Sequence, residues 1–362
     1  MNKLNNLEQI KKQIKKLDPD RVLESIEMVG EQVSQVWQEC KKIRLPKSYR
    51  KINKVIINGM GGSALGGHIL KSVFFDQLKV PVDVINNYQL PASLNKNTLY
   101  IISSYSGNTE EPLAAFNEAQ KRGAKIFGIT SGGKLGRWIK QGKMPGYIFE
   151  PNFNPSGQPR MGLGYSLAAQ MALLKKAGLI QVSDSEIKKV LATIDRLNAK
   201  FSINNLSVKN TAKKLAQRLV DNSLAVVASE FLAGSAHVFA NQTNETGKTF
   251  STYFLIPELN HHLLEGLKYP RANRQNLLFV FLESKLYFPK NQLRLKITQK
   301  VMAKNKIKYE VYKMSAASKL EQSFEALLLS SYATFYLAIL NNLNPNIIPW
   351  VDYFKEQLKK SK

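Results

Sequence analysis

The chain has 362 residues, with 52 Lys+Arg against 27 Asp+Glu and a formal net charge of +25. That length exceeds what one hydrophobic core ordinarily serves and fits two domains, while 44% hydrophobic and 9% aromatic residues exclude wholesale disorder. A single cysteine, Cys40, excludes an internal disulfide framework and any multi-cysteine metal site, and the four histidines (His68, His237, His261, His262) contain no HExxH spacing.

In chain order, the opening MNKLNNLEQIKKQIKKLDPD is charged and has no continuous apolar stretch of signal-peptide length. No later apolar run reaches the ~20 residues that cross a bilayer; LLFVFL at 277–282 fits a buried strand instead. The expectation is a cytoplasmic protein with no membrane partner. Residues 7–45 read as two helices broken at Asp18-Pro19-Asp20. Short β-branched runs then alternate with longer helical patterns. The predicted strands are Lys54–Asn58, Val82–Asn86, Leu99–Ser104, Lys125–Thr130 and Tyr147–Glu150, followed by a helix over Leu167–Ala177 that Gly178 ends. The polar stretch Gln181–Glu186 marks an expected domain boundary. Beyond it the alternation restarts, with strands at Leu224–Ser229, Ser251–Ile256, Asn276–Leu282 and Tyr309–Met314 and a helix over Leu320–Leu340. This alternation is the signature of α/β domains with doubly wound parallel sheets. The expected division is N-terminal helices over 1–45, one unit over 46–182 and a second over 183–362.

The positive charge raises the question of nucleic acid, because phosphate neutralisation supplies most non-specific binding energy. Basic residues are densest at Lys41–Lys54 and Lys290–Lys319, yet the excess extends over most of the chain. No zinc finger, basic zipper or aromatic RNA-binding motif accompanies it, and the N-terminal helices fall one short of a helix-turn-helix module. The reading is a lysine-rich solvated surface, with no nucleic-acid partner. Its field favours the approach of small phosphorylated substrates.

Two loops carry the chemical signal. The first strand runs into Gly59-Met60-Gly61-Gly62-Ser63-Ala64, which literally is the dinucleotide pattern G-x-G-x-x-A. The acidic residue that should follow at the end of the second strand is missing, because that strand ends in Asn86-Asn87 and Asp83 lies too early. Dinucleotide binding is thereby the least favoured of three readings, and two stand ahead of it. One is a tight turn whose glycines allow positive φ; the preferred one is a loop that brings backbone N–H groups and the Ser63 hydroxyl up to a small anion. The third strand delivers Ser103-Ser104-Tyr105-Ser106-Gly107-Asn108-Thr109-Glu110-Glu111. Its hydroxyls suit phosphate capture, Glu110 and Glu111 complement the dipole of the next helix, and Asn108 to Glu111 has capping-box spacing. Both loops sit at carboxyl ends of parallel strands, where open α/β sheets bind ligands.

The run Ser104-Tyr105-Ser106-Gly107-Asn108-Thr109 resembles the phosphosugar-binding signature of sugar isomerase (SIS) domains. With Gly59-Met60-Gly61-Gly62-Ser63 and Ile129-Thr130-Ser131-Gly132-Gly133-Lys134-Leu135, it is similar to the bifunctional phosphoglucose/phosphomannose isomerase family over nearly the whole chain. The resemblance implies two tandem SIS domains of flavodoxin-like type. It also implies an isomerase that interconverts glucose 6-phosphate, and mannose 6-phosphate, with fructose 6-phosphate, requiring neither metal nor cofactor. Gly61, Gly62, Ser63, Ser104, Ser106 and Thr109 would then hold the substrate phosphate.

Such an isomerisation needs a base that carries a proton between C2 and C1, a group that assists ring opening, and donors that steady the enediolate. By similarity Glu245, in Asn244-Glu245-Thr246-Gly247-Lys248, is the proton-shuttling base, and His261 the ring-opening group. The residues alone leave Glu245 open between a solvated helix-end charge and a base. It ends a helical run from Glu230 with Gly247 as terminator, so it faces the negative end of a dipole that Lys248 offsets. The family shows His-Asn-Glu where this chain has His261-His262-Leu263; alignment through Asn260 and Gly266 selects His261. In the family this histidine reaches the neighbouring subunit's site, implying a homodimer with shared sites. Arg160, in Pro159-Arg160-Met161-Gly162, matches the enediolate-stabilising arginine, a task suited to a permanent charge. Lys355 matches a C-terminal lysine, against its alternative as one of a basic tail with Lys359, Lys360 and Lys362. His68 and His237 read as structural. The alternatives are a non-catalytic phosphosugar-binding protein and an aminosugar-phosphate isomerase.

Overall fold

The computed structural model describes residues 7–206 and 208–360. The N-terminal segment forms three helices, α1 (Leu7–Leu17), α2 (Val22–Glu27) and α3 (Val29–Cys40). The expected break at residues 18–20 is present, and its cause is local. Asp18 accepts the N–H groups of Val22 at 2.7 Å and Leu23 at 2.9 Å, satisfying donors that open α2. A second break at Met28 was not expected; it divides what reads as one helix into α2 and α3.

Five strands follow, β1 (Lys54–Asn58), β2 (Val82–Ile85), β3 (Thr98–Ser103), β4 (Lys125–Thr130) and β5 (Gly146–Ile148), paired in parallel in the order β2-β1-β3-β4-β5. The intervening helices are α4 (Gly62–Val73), α5 (Glu110–Ala114), α6 (Phe116–Lys121) and α7 (Gly133–Lys140), and α8 (Leu163–Lys176) closes the half. The central strands β1, β3 and β4 are apolar on both faces because helices cover both. Val55, Ile57, Leu99, Ile101, Phe127 and Ile129 point into the large shared core with α3, α4 and α8. Ile56, Tyr100, Ile102 and Ile126 point the other way, into a smaller core with α5 to α7.

The polar stretch at 181–186 opens α9 (Asp184–Phe201): Ser183 Oγ accepts from Glu186 N–H, and Glu186 Oε2 accepts from Ser183 N–H. After α10 (Thr211–Leu219) comes a second parallel sheet built from β6 (Ser223–Ser229), β7 (Ser251–Ile256), β8 (Leu277–Glu283) and β9 (Lys308–Lys313), in the order β7-β6-β8-β9. Its helices are α11 (Ala233–Glu245), α12 (Leu259–His262), α13 (Asn273–Asn276), α14 (Pro289–Lys304), α15 (Lys319–Leu340) and α16 (Pro349–Lys360). The fold is therefore two parallel α/β sheets, and the second repeats the strand order of the first without its fifth strand. The helical run expected from Glu230 begins as a 3-10 turn over Glu230–Leu232 and becomes α-helical at Ala233.

Contrary to the expectation that no apolar run is long enough, α15 has the length and hydropathy to cross a bilayer, but 94% of its apolar window is buried inside the protein. Its apolar character is dispersed among Ser, Thr, Tyr and Glu, all buried against α9, α10 and α11. Glu325, within α15, is fully buried and accepts hydrogen bonds from the Ser315 N–H and hydroxyl, the Ala316 N–H and the Tyr312 hydroxyl. Those donors offset the desolvation of a buried carboxylate.

Candidate active site

The three motif loops meet at the carboxyl edge of the first sheet, beside the β1/β3 position where the strand order reverses. Gly62 at the start of α4 lies so close to the 159–161 turn that a Cβ would sit 2.8 Å from the Pro159 carbonyl oxygen, so only glycine fits. Gly107 has φ +68°, and its backbone is pressed against Gly132, where a Cβ would overlap the carbonyl. Close backbone approach thus locks the glycine loop onto Arg160's turn and the serine loop onto residues 130–134. Asn108 does not form the expected capping box with Glu111. Thr109 is the N-cap residue of α5, and the Asn108 side-chain oxygen accepts from the Lys134 N–H at 3.0 Å, tying the second and third motifs together. Glu110 and Glu111 do lie in the first turn of α5.

The expected phosphate-binding hydroxyls separate by depth. Ser106 is exposed and Thr109 half-buried, whereas Ser63 and Ser104 are buried. Ser63 Oγ accepts the Tyr105 N–H at 2.9 Å, leaving its own hydrogen free to donate. Ser104 lies behind Thr109, their hydroxyl oxygens 2.8 Å apart.

Arg160, 3% exposed, links the two halves of the chain. Its Nη1 donates to Gln158 Oε1 at 3.0 Å and Glu245 Oε1 at 3.3 Å; its Nη2 donates to the carbonyls of Pro345 at 2.9 Å and Asn346 at 2.6 Å. Its Nε–H is buried without a partner. Burial pushes the Arg160 pKa down and Glu245 pulls it back up; a guanidinium stays charged through such a shift. Glu245 ends α11 with its side chain 35% exposed, so one carboxylate oxygen rests on the guanidinium while the group stays accessible. Lys248 donates to the Glu245 carbonyl at 2.5 Å. Gln158, the Pro345 and Asn346 carbonyls and the contact of Lys248 were missed in the sequence. Backbone acceptors leave no residue pattern to find.

Among the described residues, neither His261 nor Lys355 makes a hydrogen bond or ion pair with Arg160 or Glu245. His261 is exposed on α12. His262 instead meets Glu258 Oε2 at 2.9 Å. Lys355 lies on α16, a helix with no buried residue, which follows directly on the carbonyls that Arg160 holds. Trp350 and Phe354 on the same helix are 82% and 61% exposed. His68 and His237 pack edge to face at 4.6 Å on the border of a cavity of about 570 Å3 between α4, α11 and β7, away from the Arg160–Glu245 pair. Among the described residues, no three His, Cys, Asp or Glu groups come together as a metal site.

Residues 48–135 match the SIS domain family, and residues 208–358 match the bacterial phospho-glucose isomerase C-terminal SIS domain. A bifunctional phosphoglucose/phosphomannose isomerase of Caldicellulosiruptor bescii is 33% identical over 348 residues, covering 94% of this chain and all of the relative. The chain belongs to the bifunctional phosphoglucose/phosphomannose isomerase family. A Thermoplasma volcanium protein with the same name is 28% identical, over 88% of this chain and 96% of its own length. A solved structure of a hypothetical protein from Thermus thermophilus superposes with a TM-score of 0.75 at 16% identity, covering 98% of this chain and 94% of that one. That likeness shows the shared fold. Against the two family matches, the glycine and serine loops lie in the first, Glu245, His261 and Lys355 in the second, and Arg160 between them.

Proposed function

We propose that this chain interconverts glucose 6-phosphate and mannose 6-phosphate with fructose 6-phosphate through an enediol. The observation that carries the reading is the Arg160–Glu245 pair, an accessible carboxylate 3.3 Å from a buried guanidinium whose turn packs on the glycine loop. The names borne by the relatives support it. In this reading the phosphate sits on the backbone amides around Gly61 and Gly62 and on the hydroxyls of Ser63, Ser106 and Thr109, with Ser104 behind Thr109. Glu245 takes the C2 proton of the open-chain aldose, the electron pair forms the C1–C2 double bond, and the C1 carbonyl oxygen gains negative charge. Arg160 steadies that charge. The O2 hydroxyl proton passes to O1, and return of the carbon proton to C1 then leaves the carbonyl at C2, which is the ketose. No cofactor enters, because the substrate's own carbonyl acidifies the migrating proton.

His261 assists ring opening and comes from a second copy of the chain, so the working unit is a homodimer with shared sites. The exposure of His261 and of the apolar side chains of α16 is in keeping with this. Lys355 would complete the site. A phosphorylated sugar substrate places the work in the cytoplasm. The test is Glu245→Gln, which keeps shape and removes the base. Turnover should fall by about 10³-fold or more, while fructose 6-phosphate still binds as in the wild type. Unchanged turnover in the variant would favour a different base and end the assignment.

A further inference from the structure

The end of α11 departs from the way helices usually stop. The sequence points to Gly247 as the residue that takes the left-handed conformation, but among the described residues it is Lys248 that does so, at φ +52°. Gly247 is needed for a different reason: a Cβ there would stand 2.9 Å from the Thr243 carbonyl and 3.1 Å from Leu337 on α15. A lysine in the left-handed region carries a steric cost that a glycine would avoid. The conformation turns the side chain back onto the helix it follows, where its ammonium donates to the Glu245 carbonyl at 2.5 Å. Two cations, Arg160 and Lys248, thus converge on one carboxylate residue, Arg160 on its side chain and Lys248 on its backbone.

We infer that Lys248 is a positioning residue for the isomerisation, clamping the last turn of α11 and setting a positive charge against the negative end of that helix's dipole beside the Glu245 carboxylate. The inference rests on the reading of Glu245 as the base. A carboxylate at a helix C-terminus meets unsatisfied carbonyls of its own sign, and the ammonium answers one of them directly. The charged groups around Lys248 are Arg160 from the 159–161 turn and Glu245 from α11, with Asp352 of α16 acting in turn on Arg160. Burial and the neighbouring Arg160 hold the Lys248 pKa at about 8, with Glu245 pulling the other way. The cation is therefore present below pH 8 and lost as pH rises through that value, within the range of an ordinary assay.

The experiment measures kcat and KM for fructose 6-phosphate between pH 6 and 10 (~10⁻⁶ to 10⁻¹⁰ M protons) for the wild type, Lys248→Arg and Lys248→Met, with thermal melting of each. The wild type should lose kcat as pH passes about 8. Lys248→Arg, whose charge is permanent, should keep the neutral-pH kcat within about threefold and hold it to higher pH. Lys248→Met should lower kcat by about tenfold with KM little changed, and lack the alkaline loss. A wild-type alkaline limb that stays in place in both variants overturns the inference. Where Lys248→Met fails to fold, the limb of Lys248→Arg alone decides. A wild type that isomerises neither hexose phosphate overturns the proposed function and this inference with it; an active wild type with an unmoved limb overturns only the role of Lys248.

Discussion

The carboxyl edges of the two sheets share strand order but differ in what they offer a ligand. At the first, β1 and β3 deliver glycines, hydroxyls and open amides, with no carboxylate among the proposed phosphate contacts. At the second, β6 delivers Glu230 in a left-handed conformation at φ +46°, and its carboxylate accepts from the Phe288 N–H and the Asn291 side chain, both at 2.8 Å. Phe288 is the N-cap of α14, so the chain places its own anion where the first sheet leaves donors free. On the proposed reading the same topology binds an anion at one edge and supplies one at the other, and the loop residues decide which. The second sheet contributes instead through the far end of α11, where Glu245 meets Arg160.

Among changes at the two edges, removing the Ser106 and Thr109 hydroxyls should have the largest effect. The double variant Ser106→Ala with Thr109→Val should raise KM for hexose 6-phosphates by about 100-fold, two lost hydrogen bonds to a charged group, with a smaller change in kcat. Steady-state kinetics checks this, and an unchanged KM would break the contrast between the edges. Glu230→Ala should leave KM unaltered but cost about 1 kcal/mol in urea unfolding, because the α14 N-terminus loses its acceptor. A raised KM there would mean the second edge takes part in binding. The smallest effect concerns His68 on α4. Burial, with His237 and Lys71 nearby, lowers its pKa from 6.5 to about 4, so the folded protein keeps it neutral where the unfolded chain takes up a proton. The stability it contributes is whole above about pH 6.5 and is lost as pH falls toward 4. His68→Gln should flatten that part of the stability–pH curve, and an identical curve would refute the assignment.

The central strands were legible because parallel strands buried on both faces read as continuous apolar runs; β1 and β4 occupy the expected residues, as does the partly buried edge strand β7. The place of the loops at the carboxyl ends of β1 and β3 was legible because glycines and serines break the apolar runs there. The apolar length of α15 was missed because Glu321, Glu325 and several hydroxyls interrupt it, and only tertiary packing shows that they too are buried. The end of α11 and the start of α5 went differently for one reason. Lys248 and Asn108 find better partners, the Glu245 carbonyl and the Lys134 N–H, than the local pattern foretells. Arg160 joins residues far apart in sequence through main-chain carbonyls, for which no side-chain spacing exists. The roles of His261 and Lys355 came from similarity alone, and among the described residues no hydrogen bond or ion pair joins either to Glu245.

The most direct measurement incubates the purified protein with fructose 6-phosphate, with and without chelator, and follows both aldose products. Glucose 6-phosphate and mannose 6-phosphate are expected at rates the chelator does not change. Formation of neither product contradicts the proposed activity, and loss of both on chelation contradicts a proton transfer carried by Glu245 and Arg160 without a metal.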